Sequence, residues 1–218
     1  MSYSLNEIAS LSKRAARGAG YDWGLADEAA RAVRWLSARH LPGPEALARL
    51  LALQDGADIS GLVPLDVQGN WAGSSGHLCP VGTGATLSDC AFLMDAGHEI
   101  SMSNVRIPLL LLPFVADIAC QCSVPAEMRF GGTSCATDGI SLQTSQQTAL
   151  AELAATSELA EVIIAISAET GFDSDPVIRG SMSGEAQAGL KRFAGRTYAP
   201  ATESSRLLGA GAGTSDND

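Results

Sequence analysis

Basic residues are scarce in this sequence. Fourteen Lys and Arg stand against twenty-four Asp and Glu, giving a net charge of −10 over 218 residues, and only two of the fourteen are lysines. That balance lacks the basic face a phosphate-tracking protein needs, so no nucleic-acid partner is expected. Long apolar runs are missing too. The longest, Ile107 to Ala116, is bounded by Arg106 and Asp117 and interrupted by Pro108 and Pro113. A membrane helix needs about 20 apolar residues, so the run reads as a buried core segment and no membrane partner is expected. The opening residues, MSYSLNEIASLSKRAARGAG, lack the basic-then-apolar order of a secretory signal.

Other absences narrow the chemistry. The cysteines at 79, 90, 120, 122 and 135 are odd in number and contain no CxxC pair. They read as reduced thiols in a cytoplasmic protein. Cys120 and Cys122 are separated by one residue, shorter than the usual gap of a zinc half-site, and nothing joins them to His77-x-Cys79. No metal site is therefore expected. Gly82-Thr-Gly84 begins like a dinucleotide fingerprint, but position 87 is Leu, and neither lysine supplies a phosphate-loop Gly-Lys-Ser/Thr. The residues name no cofactor.

What is present is enough apolar material for a core: 46% of the residues are hydrophobic and 17% charged, the balance of a folded chain. Residues 1–54 are net +2, and the rest is net −12. The opening is helical by period. Ser4-Leu-Asn-Glu7 is a capping-box pattern, followed by the stripe Leu5, Ile8, Leu11, Ala15 and Ala19, with a stop at Gly18 and Gly20. Asp22 caps a second helix, with Asp27 and Arg31 spaced for an ion pair. Pro44 suits the first turn of a third, whose apolar face is Leu47, Leu50, Leu51 and Leu53.

Residues 55–86 read as mostly loop, rich in Gly and Ser over 70–84. Strand signals follow. A turn is expected at Asp95-Ala-Gly97. Gly131-Gly132 and Asp138-Gly139 read as hairpin turns, and Val162 to Ile166 as a central buried strand. Short helices are expected over 113–121 and 148–155, and another from a Ser183 cap through Phe193. The resulting fold class is α+β: an N-terminal three-helix unit packed on a mixed or antiparallel sheet with a few further helices. Its divisions are a helical unit over 1–56, a body over 57–208 and a Gly/Ala-rich tail over 209–218, all in one integrated domain.

Two regions concentrate reactive groups. In the first, His77, Cys79, Asp89 and Cys90 are candidate catalytic residues, since a cysteine nucleophile needs a nearby base. Trp71, an aromatic among Gly and Ser, is a candidate pocket wall. The plainer reading is a loop turning beneath the helices. In the second region, Tyr198, Glu203 and Arg206 are candidates for binding substrate as donor, base and anion anchor. Its plainer reading is a C-terminal strap docking Tyr198 on the core. Three functions fit: an enzyme acting on a small polar molecule between residues 73–84 and 196–206; an accessory or interaction protein without chemistry; and a homodimer that uses its tail as an arm.

Two segments carry a family resemblance. They are Lys13-Arg-Ala-Ala-Arg-Gly-Ala-Gly-Tyr-Asp-Trp-Gly-Leu-Ala-Asp-Glu-Ala29, and Arg196-Thr-Tyr-Ala-Pro-Ala-Thr-Glu-Ser-Ser-Arg206 continuing through Leu207 and Leu208 to Asp218. They resemble a bacterial family known only as a domain of unknown function, a resemblance that implies no activity, cofactor or catalytic residue. The layout of the helices from Leu5 to Gly56 is also similar to the N-terminal helices of the malate/L-lactate dehydrogenase family that is not of Rossmann type. This chain is shorter and has no nicotinamide-site motif.

Overall fold

A computed structural model describes residues 1–94, 99–144, 159–172 and 176–198. A short strand β1 (Ser2–Ser4) leads into α1 (Leu5–Gly18). The capping box forms as its pattern requires. Ser4 Oγ accepts from the Glu7 amide at 3.2 Å, and the Glu7 carboxylate accepts from the Ser4 amide at 2.7 Å. The Ser4 amide first, and then the Ser4 hydroxyl, hold the Glu7 carboxyl below its ordinary range. The stripe Leu5, Ile8, Leu11 and Ala15 is buried.

Asp22 caps α2 (Trp23–Ser37) by accepting from the Leu25 amide at 2.7 Å. Asp27 and Arg31 do not pair with each other as their spacing predicts. Asp27 binds Lys13 on α1, and Arg31 binds Glu28 together with Asp117. An exposed i,i+4 pair is worth only a few tenths of a kcal/mol (~0.2–0.5), so the neighbouring Glu28 and the tertiary partners Lys13 and Asp117 displace it. In α3 (Gly43–Leu53), Leu47, Leu50 and Leu51 are buried, whereas Leu53 turns outward at 36% exposure.

The last described helix, α6 (Gly184–Gly195), returns to this helical unit and packs on α1 and α3. Ser183 caps it by accepting from the Ala186 amide at 3.1 Å. Strand β8 (Arg179–Ser181) pairs antiparallel with β1 just before it.

The composition of residues 80–84 misleads. The segment is the start of a helix, α4 (Pro80–Asp89), rather than loop. Its glycines meet neighbouring elements closely: a Cβ on Gly84 would lie 2.2 Å from the Phe114 ring, and one on Gly82 would lie 2.8 Å from Val63. Small residues here serve helix packing.

The six-stranded sheet has the order β2-β3-β7-β4-β5-β6. Its strands are β2 (Asn70–Trp71), β3 (Glu99–Arg106), β4 (Ala126–Phe130), β5 (Thr133–Thr137), β6 (Leu142–Thr144) and β7 (Leu159–Ile166). Only β2 and β3 run parallel; the other neighbours are antiparallel. Gly131 and Gly132 take φ of 55° and 78°, the two positive angles that a tight hairpin between β4 and β5 demands. At the next turn the Asp138 carboxylate accepts from the amides of Ile140 and Ser141, at 2.9 and 2.6 Å.

Strand β7 is central, as its β-branched run implies, and its two faces differ. Val162 and Ile164 are buried, while Ile163 and Ala165 are half-covered. The apolar run 107–116 forms a 3₁₀ turn (Pro108–Leu111) and the first half of α5 (Leu112–Cys122), all buried. Helix α5 packs against β4 and β5, and α4 lies against α5 and α2.

The fold is thus α+β with a mixed sheet, the class the sequence predicts. The expected turn at 95–97, the helix at 148–155 and the tail at 209–218 lie outside the described residues.

Helix α5 ends at Ser123, which is exposed and holds φ at 56°. A side chain costs about 1 kcal/mol in that left-handed position, which is why glycine normally occupies it. Ser123→Gly is expected to raise stability by about 0.5–1 kcal/mol, or roughly 1–4 °C in Tm for a chain of this size. Calorimetry showing a lower Tm would contradict this account of the helix end.

Candidate functional site

The described residues singled out in the sequence fall into five environments. Trp71, on β2, is wholly buried, and its indole N–H has no partner among the described residues. It fills the core.

Cys79 precedes α4 and is also wholly buried. Its sulfur lies 3.2 Å from the Tyr21 hydroxyl, which in turn donates to Gln54 Oε1 at 3.0 Å. A hydroxyl has one proton to give, so with that proton on Gln54 the thiol is the donor to Tyr21. Burial pushes the Cys79 thiol up, against smaller opposing bonds from the Gly82 and Val81 amides. Burial likewise raises Tyr21. A protonated thiol without a base is a poor nucleophile.

Asp89 and Cys90 sit at the end of α4. Cys90 is half-buried, and desolvation followed by the Asp89 charge pushes its thiol up. Asp89 is exposed on an open cleft of about 320 Å³ between α2 and α4, which also takes in Glu28, Arg31 and Ser88. Ser88 Oγ donates to Asp117 at 3.4 Å, and Asp117 also receives Arg31.

Tyr198 follows α6 and is 63% exposed; its hydroxyl accepts from Arg14 Nη1 at 3.1 Å. Arg196 grips both carboxylate oxygens of Asp55, at 2.6 and 2.8 Å, and holds that carboxyl below its usual range. The turn after α3 therefore stands between the two candidate regions. Gln54 reaches Cys79 through Tyr21, and Asp55 takes Arg196. Glu203 and Arg206 lie outside the described residues.

His77 occupies a different setting, at the end of β3. The chain from 77 to 79 runs beside that strand: Leu78 N–H donates to Asn104 O, and Arg106 N–H donates to Leu78 O, both at 3.0 Å. Here the strand is irregular. Its register with β7 shifts between Met102 and Val105, and Asn104 and Ile107 hold φ of 54° and 43°. Positive φ at a β-branched residue is rare, and such strain collects where structure around it is over-determined. Bulges serve to re-aim side chains. Here the distorted corner sets Arg106 near enough to His77 for the two charges to interact.

The chemistry of that corner is specific. His77 Nδ1 lies 3.2 Å from the Ser75 carbonyl, which accepts only, so the neutral ring assigns its proton to Nδ1 and leaves Nε2 as the basic nitrogen. Partial burial lowers the His77 pKa, Arg106 lowers it further, and the Ser75 bond opposes both. Arg106 is half-buried, and its Nε has no acceptor among the described residues. Nearby, Glu161 accepts from the Asn104 amide at 3.3 Å and from Ser103 Oγ at 3.1 Å, and Asn70 donates to Ser103 Oγ at 2.8 Å. His77 and Cys79 share no hydrogen bond among the described residues. Arg106 is the member that sequence reading missed. Its one signal was its place at the edge of the apolar run. Among the described residues no group of His, Cys, Asp or Glu is arranged to hold a metal ion, and no helix is long and apolar enough to cross a membrane.

A family model described as "Protein of unknown function (DUF3726)" matches residues 3–75. The matched stretch runs from β1 through α3 to Ser75 and contains the first of the two segments that carry the sequence resemblance; the second lies beyond it. No curated protein and no solved structure matches the chain.

Proposed function

We propose that the protein binds a small anionic metabolite at the His77–Arg106 corner and acts there as an enzyme, with His77 Nε2 accepting a proton from the bound molecule. One observation supports the reading: a guanidinium whose buried Nε has no acceptor among the described residues acts on an imidazole whose pKa is lowered by burial and by that charge. The guanidinium supplies a fixed anchor for a carboxylate or phosphate. An imidazole with lowered pKa is in its basic form at neutral pH. This reading keeps the Gly-rich side of the arrangement expected from the sequence, and Tyr198 accepts from Arg14 on α1.

The reading is tested by following the His77 ring proton by NMR against pH. The midpoint is expected below the ordinary histidine value of about 6.5. It should rise in Arg106→Met, and rise in the native protein when malonate or phosphate is added, because an anion stabilises imidazolium. The sign also fixes a stability effect. A depressed histidine stabilises the fold above its unfolded pKa, and that contribution is lost as pH falls through the folded value. A midpoint that ignores both the substitution and the anions would sink the proposal.

One observation favours an interaction protein as a second reading. Trp23 is 66% exposed at the start of α2, with Arg17 stacked 4.3 Å from its ring centre. Exposed tryptophan beside arginine is typical of binding hot spots. Trp23→Ala should then abolish a partner's co-purification while leaving the His77 titration unchanged.

A further inference from the structure

A second ligand site follows from the face of α2 that the proposed corner does not use. An open groove of about 380 Å³ runs along this helix, within the size range of small-molecule sites. One wall is Arg31, Arg34 and Trp35, about one helical turn apart on α2 and therefore on one face, with Arg39 just beyond the helix end. The other wall is Val177 and Ile178, held in place by the Val177 amide donating to Ala38 O at 2.8 Å.

The arginines are not equivalent. Arg31 is neutralised by Asp117 and Glu28. Arg34 donates to the amide oxygen of Asn6 at 2.7 Å and carries no ion pair among the described residues. Arg39 lies over the Trp35 ring at 3.7 Å and donates only to backbone carbonyls, Trp35 O at 2.9 Å and Ile140 O. Its Nε is buried without an acceptor. Partial burial pushes its pKa down to about 10, against the smaller opposing charges of Asp138 and Cys120, and it is still a cation at neutral pH. Among the described residues, then, neither guanidinium is held in an ion pair, in a chain of net charge −10. Beside them the apolar wall is open to solvent: Ile178 is 85% exposed, and Ile140, next to Arg39, is 62% exposed.

We infer that this groove binds a small organic anion with an apolar body, its carboxylate or phosphate between Arg34 and Arg39 and its body along Val177 and Ile178. The charge selects the anionic end, and the Arg39–Trp35 stack with the apolar wall selects the other.

The test follows the Trp35 indole N–H by NMR, assigned with Trp35→Phe, during titration with 2-naphthoate, 2-naphthyl phosphate and the uncharged 2-naphthalenemethanol. The expected result is a saturable shift with one or both anions and little with the alcohol; the two anions distinguish a carboxylate from a phosphate ligand. Arg34→Gln should weaken the binding about tenfold, the loss typical of one charge-assisted hydrogen bond. Ile178→Asp, a change at an exposed position that cannot empty the core, should weaken it as well. Equal response to the alcohol, unchanged affinity in Arg34→Gln, or no shift at millimolar probe would overturn the inference.

Discussion

Gly84→Ala is expected to destabilise the protein by about 1–3 kcal/mol, the usual cost of forcing a methyl into a packed core. Helix propensity alone gives the opposite sign, since alanine is better than glycine inside a helix by about 1 kcal/mol. Geometry decides between the two. The new Cβ would stand 2.2 Å from Phe114 Cδ2 and 2.4 Å from Cγ, and that ring is wholly buried. Ordinary contact needs more than an ångström of additional separation, so α4 and α5 must move apart or Phe114 must leave its rotamer.

Gly189 supplies the control. It lies inside α6, where a Cβ would meet only Ala48 Cβ at an ordinary 3.5 Å. Gly189→Ala should therefore stabilise by up to about 1 kcal/mol. The same substitution in two helices should show opposite signs in urea titrations. Phe114→Leu combined with Gly84→Ala should cost less than the sum of the two single changes, because the residues are in contact. If Gly84→Ala stabilised as Gly189→Ala does, the close approach of α4 to α5 described above would be wrong.

The five thiols are expected to separate by about a thousandfold or more in their rate of alkylation. A buried thiol reacts only through rare opening of the structure, and a raised pKa further reduces the reactive thiolate. Cys120 is exposed and should react first, followed by Cys90 and Cys122, which are half-buried. Cys79 and Cys135 are buried, and Cys135 is pushed up to about 11, chiefly by burial. Those two should remain unmodified until denaturant is added. Timed iodoacetamide labelling followed by peptide mass spectrometry gives the order directly. The experiment also bears on chemistry: a catalytic Cys79 would be labelled early, at a rate comparable with Cys120, and that result would restore the Cys79–His77 pair as the reacting centre.

Much of the architecture was legible because it rests on local rules. The caps at Ser4, Asp22 and Ser183 each close a bond across three residues, so the pattern is contained in the sequence itself. The paired glycines at 131 and 132 and the β-branched run at 162–166 are equally local. Residues 80–84 were not legible. Glycine kept for a turn and glycine kept for close helix packing look alike in composition, and only the position of Phe114 separates them. Trp71 posed a similar ambiguity, since its polar neighbours in sequence do not reveal that pairing with β3 turns it into the core.

The candidate site divides along the same line. His77 stood out because few histidines occur and this one lies among polar residues. Arg106 did not, because its closeness to His77 depends on Leu78 bridging Val105, a contact between segments far apart in the chain. The spacing of Arg31 from Asp27 was visible, but not the partner that takes it: Asp117 reaches Arg31 only because α5 packs beside α2. By itself, the sequence determined the elements with their caps and turns, and the −10 charge that makes any uncompensated cation conspicuous. The tertiary structure alone decided which of the described cations are held in ion pairs and which thiols are sealed from water. Those outcomes depend on distances and burial between elements, which residue order does not encode locally.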